Sequence, residues 1–186
     1  MKRGFDIVLS LFALLLLALP MTAIALLVRL TSQGPALYWS DRVGRDNALF
    51  RMPKFRTMRL DVPEVATHLL PHPQRYVTPI GHLLRMSSLD ELPQLYSILK
   101  GDMSFVGPRP ALHNQDDLIS LRTHEGIQRL VPGLTGWAQI NGRDELTIPQ
   151  KVALDEEYLR RRSFRFDLEI LLRTACQALS GRDVDH

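Results

Sequence analysis

The sequence predicts an α+β fold that is mainly helical. An N-terminal re-entrant membrane helix (residues 1–30) precedes a small globular domain (residues 31–186) with amphipathic interfacial helices and short strands. Three observations predict this arrangement. The chain begins with a long uncharged apolar run, its later half carries apolar residues at helical spacing, and a short middle segment alternates apolar and basic residues as strands do.

The composition excludes several classes of protein. With 186 residues, of which 45% are hydrophobic and 23% charged, the chain is neither disordered nor collagen-like. Its net charge of +3 is too small to indicate a nucleic-acid-binding protein, so we expect no nucleic-acid partner. The single cysteine, Cys176, excludes a disulfide framework. We expect it to be a small packing residue on the apolar side of the last helix.

The apolar run extends from Ile7 to Val28 without a charge. As a helix it would be roughly 33 Å long, enough to cross the hydrocarbon core of a bilayer. Three interpretations compete: a cleaved signal peptide ending near Ala23-Ile24-Ala25, a straight membrane span, and a re-entrant segment that enters and leaves by one face. The apolar sequence continues past the cleavage-like site, which disfavours the signal peptide.

Two features favour the re-entrant segment. Pro20 lies past the middle of the run, where it removes a helical hydrogen bond and bends or breaks a helix. Basic residues flank both ends of the run, whereas a spanning helix usually has one basic flank on the cytoplasmic side. These flanking residues are Lys2, Arg3, Arg29, Arg42 and Arg45.

A basic segment follows the apolar run. Residues 29–59 hold seven basic side chains and two acidic ones, which suits either anionic lipid headgroups or an anionic substrate. The alternation at Lys54-Phe55-Arg56 predicts a short strand that points two cations the same way. The proline-rich segment 61–79 predicts a surface loop, and the loop interpretation is preferred over a metal site at His68 and His72.

The remaining segments predict helices joined by turns. Apolar spacing and boundary residues predict helices over 89–100, 114–130, 149–162 and 167–179. Glycine and proline predict a loop over 102–110 and turns at 132–136 and 141–143. The arginine-rich and aromatic segment 160–166 fits either a solvated helix end or an interfacial contact.

Asp90 and Glu91 form the most informative acidic pair. Ser88-Leu89-Asp90-Glu91 has the pattern of a capping box, but Pro93 makes Asp90 the better helix cap. Capping explains Asp90 without explaining Glu91. Two adjacent carboxylates can hold a divalent cation or move a proton, and nearby cations suit phosphate oxygens. Those nearby cations are Lys54, Arg56, Arg85 and Arg109. The residues alone therefore leave open a helix cap, a carboxylate nucleophile and a metal site.

Five ordered motifs resemble the bacterial sugar transferase family, the small monotopic phosphoglycosyl transferases. The resemblance extends from about Lys2 to about Thr174. The motifs are Lys54-Phe55-Arg56-Thr57-Met58, Ser88-Leu89-Asp90-Glu91-Leu92-Pro93-Gln94-Leu95, Lys100-Gly101-Asp102-Met103-Ser104-Phe105-Val106-Gly107-Pro108-Arg109-Pro110, Pro132-Gly133-Leu134-Thr135-Gly136-Trp137-Ala138-Gln139 and Asn141-Gly142-Arg143. Family members often have Ser-Pro at the bend of the membrane helix, where this chain has Leu19-Pro20.

The resemblance implies an enzyme of the cytoplasmic face of the bacterial inner membrane. It would transfer a sugar 1-phosphate from a UDP-sugar to polyprenyl phosphate, usually undecaprenyl phosphate, and release UMP. This is the first membrane step in making O-antigen, capsule, exopolysaccharide or glycoprotein glycan. Membrane lipid and later glycosyl transferases of the pathway would be further partners. The resemblance also predicts a bare catalytic unit, without the multi-span N-terminal extension of longer members.

The resemblance also implies roles for individual residues. Asp90 would attack the sugar-side phosphorus and form a covalent phosphosugar intermediate, which the lipid phosphate then displaces in a ping-pong second step. Glu91 would ligate Mg²⁺ and assist proton or charge movement. The candidate substrate-binding residues are Lys54, Arg56, Arg85, Arg109 and Arg143.

Two alternatives come from other functional classes. One is a membrane-anchored module that binds anions without catalysis, with Asp90 and Glu91 serving only to cap a helix. The other is a glycosyl transferase that moves the sugar alone and releases UDP.

Overall fold

The structure, a computed structural model, describes residues 1–62, 73–142 and 145–180. The predictions made for His68, His72 and Arg143 lie outside these residues. Of the predicted loop over 61–79, the described part includes a 3₁₀ turn at Pro73–Tyr76.

The first element is one long helix, α1 (Lys2–Thr31), which continues through Pro20. Its length and composition are sufficient to cross a membrane. A proline inside a helix leaves one carbonyl without its usual donor. The helix nevertheless continues on both sides of Pro20, so this proline does not end it.

One face of α1 packs on the globular domain. Near its start Asp6 and Ser10 are buried, and near its end Ile24 and Val28 are buried in a cluster with Phe55. The opposite face is apolar and exposed. Its exposed residues are Val8, Leu11, Phe12, Leu15, Leu16, Leu19, Leu26, Leu27 and Leu30.

An antiparallel hairpin follows α1. It consists of β1 (Leu37–Val43) and β2 (Leu49–Phe55), and Tyr38 is the register partner of Lys54. The predicted strand at 54–56 is confirmed as the end of β2, although β2 stops at Phe55 and leaves Arg56 outside it. Strand β1 is not predicted from the sequence, because it lacks a clear alternation of apolar and polar residues.

The predicted helix over 89–100 is divided in the structure. Helix α2 (Gly81–Met86) leads to a 3₁₀ turn at Leu89–Glu91, and α3 (Gln94–Lys100) begins after Pro93. Because Pro93 has no N–H, it starts a new helix readily but cannot donate within a continuous one. Gly101 ends α3 at φ 105°, as predicted for a C-terminal stop.

Two short strands replace a predicted loop and a predicted turn. β3 (Ser104–Val106) pairs in parallel with β4 (Gly133–Thr135). The backbones approach so closely here that a Cβ atom on Gly107 or Gly133 would collide with backbone atoms of the facing segment. Three-residue strands give too little alternation to be found from sequence.

The predicted helix over 114–130 is shorter than expected. Helix α4 (Asp116–His124) ends before Gly126, which has φ 74°, and a 3₁₀ turn follows at Ile127–Arg129. Glycine adopts this left-handed backbone at little cost, so the helix stops there.

The last three helices close the domain. A short α5 (Trp137–Ile140) precedes α6 (Ile148–Arg161) and α7 (Phe164–Ser180), so the two long helices predicted in this region are confirmed within a few residues. A capping box between Thr147 and Gln150 starts α6. Cys176 is exposed on α7, which corrects its prediction as a packing residue.

One large hydrophobic cluster joins most of these elements. It contains residues of β2, α3, β3, α4, α6 and α7 and buries Ile98 and Ile170 completely. A group of charged residues lies where β2, α2, the 3₁₀ turn and the segment after β3 meet.

Candidate active site

Four segments bring the predicted charged residues together. β2 supplies Lys54, the last turn of α2 supplies Arg85, the 3₁₀ turn supplies Asp90 and Glu91, and the loop after β3 supplies Arg109. Five of the seven predicted site residues therefore belong to one cluster.

Asp90 does not cap a helix. The N-cap position of its 3₁₀ turn is Ser88, and neither this turn nor α3 has a side-chain capping hydrogen bond. The prediction that Asp90 is a cap is therefore wrong, because Pro93 moves the start of α3 past it. Asp90 is nevertheless only 8% exposed, so its burial needs a reason other than capping.

The backbone before Asp90 is held in an uncommon conformation. Ser88 has φ 54°, in the left-handed region that a non-glycine residue rarely adopts. The following turn is closed by a hydrogen bond that the Glu91 N–H donates to the Ser88 carbonyl, at 3.2 Å. Strained backbone of this kind is frequent at functional sites.

Glu91 is bound by two cations on a single oxygen. Lys54 Nζ and Arg109 Nη2 each donate to Glu91 Oε1 at 2.8 Å. Burial acts to raise the pKa of Glu91, but the charges of Arg109 and Lys54 and their hydrogen bonds outweigh burial. The pKa of Glu91 is therefore held well below its usual range, and Glu91 is an anion at neutral pH.

The pKa of Asp90 is shifted in the opposite direction to that of Glu91. Burial raises the pKa of the Asp90 carboxyl, and the charge of Glu91 adds to this effect. The charges of Lys54, Arg85 and Arg109 oppose the rise without cancelling it. Two adjacent carboxyls thus titrate far apart, which is typical of sites where one group reacts and the other stabilises charge.

The cations of the site are partly desolvated. Burial lowers the pKa of Lys54, and burial lowers the pKa of Arg85, which lies in the field of Asp90. Arg85 Nη2 is 3.7 Å from Met58 Sδ. Cations removed from bulk water interact more strongly with anions, so this cluster can neutralise the charge of a phosphate group.

Arg56 is not part of this cluster. Its guanidinium donates to the Pro35 carbonyl at 2.8 Å and to the Ser32 carbonyl at 3.1 Å, and the residue is 3% exposed. The prediction that Lys54 and Arg56 point the same way is wrong, because β2 ends at Phe55 and the alternation ends with it. Arg56 is a structural residue that fixes the segment after α1.

The profile of one protein family, described as bacterial sugar transferase, matches residues 1–181. This chain belongs to the bacterial sugar transferase family. The match covers nearly the whole sequence and confirms the resemblance found in the five motifs.

Three relatives show how this sugar transferase compares with other proteins. It is 39% identical to an undecaprenyl-phosphate glucose phosphotransferase of Komagataeibacter xylinus, over 98% of this chain and 36% of the relative. It is 40% identical to the uncharacterized sugar transferase EpsL of Bacillus subtilis, over 99% and 90% respectively. It is 41% identical to a UDP-glucose:undecaprenyl-phosphate glucose-1-phosphate transferase of Caulobacter vibrioides, over 96% and 70%. The chain thus spans little more than a third of the first of these relatives.

The donor set of this sugar transferase is compatible with a hard divalent cation. Among the described residues no group of three or more His, Cys, Asp or Glu side chains lies together. Asp90 and Glu91 are two adjacent carboxylates, and Mg²⁺ is usually held by one or two carboxylates together with substrate phosphates. A magnesium ion at this site would therefore depend on the substrate for several of its ligands.

Proposed function

We propose that this chain transfers a sugar 1-phosphate from a UDP-sugar to polyprenyl phosphate and releases UMP, through a covalent intermediate on Asp90. The observation that carries the proposal is a buried carboxylate placed in the fields of three cations, beside a second carboxylate that two of those cations hold as an anion. The names of relatives that use undecaprenyl phosphate support the choice of substrates.

The first step forms a bond between a carboxylate oxygen of Asp90 and the sugar-side phosphorus. The bond between this phosphorus and the bridging oxygen breaks, and the oxygen leaves with its electron pair as part of UMP. In the second step an oxygen of polyprenyl phosphate attacks the same phosphorus and releases the Asp90 carboxylate. Each step exchanges one phosphorus–oxygen bond for another, so Asp90 is regenerated.

The cations make an anionic nucleophile usable. A carboxylate and a diphosphate repel one another, and the reaction needs this repulsion to be cancelled before the transition state forms. Arg109 and Lys54 are already oriented by Glu91, and Arg85 lies in the field of Asp90. These three side chains would bind the diphosphate without a large reorganisation of the protein.

Glu91 would hold a magnesium ion together with phosphate oxygens of the substrate. When bound, Mg²⁺ would supply further neutralisation of the phosphate oxygens. Glu91 would then have two roles, because its Oε1 orients Lys54 and Arg109 while its carboxylate adds negative charge near the metal.

We further propose that α1 is re-entrant and that both its ends lie at the cytoplasmic face of the inner membrane. Arg3 at its start donates to the Ile98 and Leu99 carbonyls, and Val28 near its end packs with Leu84. A helix of about 45 Å whose ends lay on opposite sides of a bilayer could not touch one aqueous domain at both ends. The exposed apolar face of α1 would then contact lipid.

The test is a reaction with the donor alone. Purified protein is incubated with UDP-glucose or UDP-galactose and Mg²⁺, without lipid acceptor. We expect release of UMP in an amount equal to the enzyme, and intact-mass and peptide spectra that show a hexose phosphate on Asp90. Asp90→Asn should bind donor, release no UMP and carry no adduct.

Other results would identify the alternatives. Release of UDP rather than UMP would support a transferase that moves the sugar alone. Binding of UDP-sugar without release of any nucleotide, by wild-type protein across a panel of UDP-sugars with lipid acceptor present, would support an anion-binding module.

A further inference from the structure

The loop that carries Arg109 is held mainly through its carbonyl groups. Pro108 and Pro110 have no N–H, so the loop offers few donors to its surroundings. The Gly133 N–H donates to the Pro108 carbonyl at 2.9 Å, and Arg42 Nη1 donates to the Pro110 carbonyl at 3.1 Å. These contacts fix the peptides on both sides of Arg109.

The carbonyl of Arg109 itself is held by a second arginine. Arg122, in the last turn of α4, donates from Nη1 to this carbonyl at 2.8 Å. The same guanidinium donates from Nε and Nη2 to Asp155 Oδ2 on α6, at 2.9 and 2.6 Å. One planar group thus links two helices to the backbone of Arg109, and the side chain of Arg109 donates to Glu91.

The ion pair of Arg122 and Asp155 is buried, and burying two charges costs free energy. The side chain of Asp155 is 1% exposed and that of Arg122 is 11% exposed. Burial raises the pKa of Asp155, and the charge of Arg122 opposes the rise. Apolar residues of similar volume often stabilise a core as well as a buried ion pair does. Stability alone therefore does not explain why a guanidinium is placed behind Arg109.

We infer that Arg122 and Asp155 are positioning residues for Arg109. Asp155 orients the guanidinium of Arg122, and Arg122 fixes the Arg109 carbonyl. The Arg109 guanidinium is thereby kept at the place where it meets Glu91 and the diphosphate. The guanidinium of Arg122 donates to Asp155 and to the Arg109 carbonyl, so both residues act on the site through Arg109. This inference rests on the proposed function in one respect, which is that Arg109 binds the diphosphate of the donor.

The first test is a mutant cycle on donor turnover. Arg122→Lys keeps the charge opposite Asp155 but removes the fork that donates to two acceptors at once. We expect it to lower kcat/KM for the UDP-sugar roughly tenfold, the change that one charge-assisted hydrogen bond represents. In an Arg109→Ala background the same change should alter kcat/KM less than about twofold, because the positioned side chain is gone. Equal losses in both backgrounds would overturn the inference.

The second test does not depend on activity. Hydrogen–deuterium exchange of the peptide spanning residues 104–112 should become roughly tenfold faster in Arg122→Lys, and faster in Asp155→Asn, while the peptide of Leu89–Glu91 is unchanged. Unchanged exchange at 104–112 would also overturn the inference. Arg160→Lys, an exposed arginine 3.8 Å from Glu156, is the matched control and should alter neither readout.

The two tests separate this inference from the proposed function. If wild-type protein releases UMP and the cycle is additive, only the positioning role fails. If wild-type protein releases no UMP from any UDP-sugar, the proposed function fails. The exchange measurement then decides alone whether Arg122 and Asp155 hold the Arg109 loop.

Discussion

Arg109 Nη2 lies 2.8 Å from Glu91 Oε1, the oxygen that also accepts a hydrogen bond from Lys54. This shared acceptor holds two cations next to each other, and the charges of both also act on the Asp90 carboxyl. In the proposed function, an incoming diphosphate would meet cations that are already in place.

The first prediction concerns the pH dependence of Asp90. In the proposed mechanism Asp90 reacts only when it is ionised, and burial raises its pKa above the ordinary value of 3.8. We therefore expect the rate of UMP release in the first step to fall in acid, with a midpoint above that value. A single-turnover pH series with donor alone measures it. A midpoint at or below the ordinary Asp value would contradict the desolvation of this carboxyl.

The raised pKa of Asp90 also predicts a cost in stability. A raised folded-state pKa gives stability that is present in acid and is lost as the pH rises through the folded value. Asp90→Asn should therefore unfold at a temperature equal to or above that of wild type at neutral pH. The difference should vanish below the ordinary Asp pKa. Asp116→Asn, at an exposed position, is the matched control.

The second prediction concerns the ion pairs of Glu91. Glu91→Gln leaves two partly buried cations without their anion, so we expect a loss of about 1–3 kcal/mol in the free energy of unfolding at neutral pH. Because the pKa of Glu91 is lowered, its contribution is present above the ordinary Glu pKa of 4.5 and is lost as the pH falls below that value. Chemical denaturation at two pH values measures this dependence.

Glu156→Gln provides the control for Glu91. Glu156 lies 3.8 Å from Arg160 at the surface of α6, where ion pairs contribute little. We expect its replacement to alter stability by less than about 0.5 kcal/mol. Equal effects of the two substitutions would show that the Glu91 ion pairs are no stronger than a surface pair.

How much of the site could be predicted from the sequence depends on how far apart along the chain the interacting residues lie. The sequence predicts Asp90 and Glu91 as site residues because adjacent carboxylates next to Pro93 leave a local signal. Arg56 was misplaced because its partners, the Pro35 and Ser32 carbonyls, are determined by where β2 ends. A two-residue spacing predicts a shared side only while a strand continues.

Long-range pairs leave no local signal. Arg122 and Asp155 are separated by 33 residues along the chain and lie on different helices. Nothing in the spacing of either helix distinguishes this pair from the surface charges nearby. The strands β3 and β4 also leave no local signal, because each is three residues long and each gains its partner only in the folded chain. The longer helices α6 and α7, with sustained apolar spacing, were the elements predicted best.

The third prediction concerns the placement of α1. Cys176 is exposed and would react with a thiol probe, so the background is Cys176→Ser. Single cysteines are then introduced by Gly4→Cys near the start of α1 and by Gln33→Cys after its end. Both positions are exposed. In intact cells whose outer membrane is permeable, a membrane-impermeant maleimide should label neither cysteine, and it should label both after the inner membrane is opened. Labelling of one position alone in intact cells would show a straight span.

The fourth prediction concerns the close backbone approach next to Arg109. A methyl group on Gly107 would collide with the Val131 carbonyl and with the backbone of Gly133. We expect Gly107→Ala to lower the free energy of unfolding by about 2–3 kcal/mol, since backbone atoms cannot rotate away as a flexible side chain does. It should also lower donor turnover, because the displaced loop carries Arg109 out of reach of Glu91.

Gly4→Ala is the matched control for Gly107. No atom outside the helix lies within 4 Å of the added methyl group at Gly4, and alanine favours a helix over glycine. The same chemical change should therefore raise stability by up to about 1 kcal/mol and leave donor turnover unchanged. Thermal unfolding and UMP release measured on both variants separate the two positions. If Gly107→Ala were as stable and as active as Gly4→Ala, the parallel pairing of β3 and β4 would not constrain the Arg109 loop.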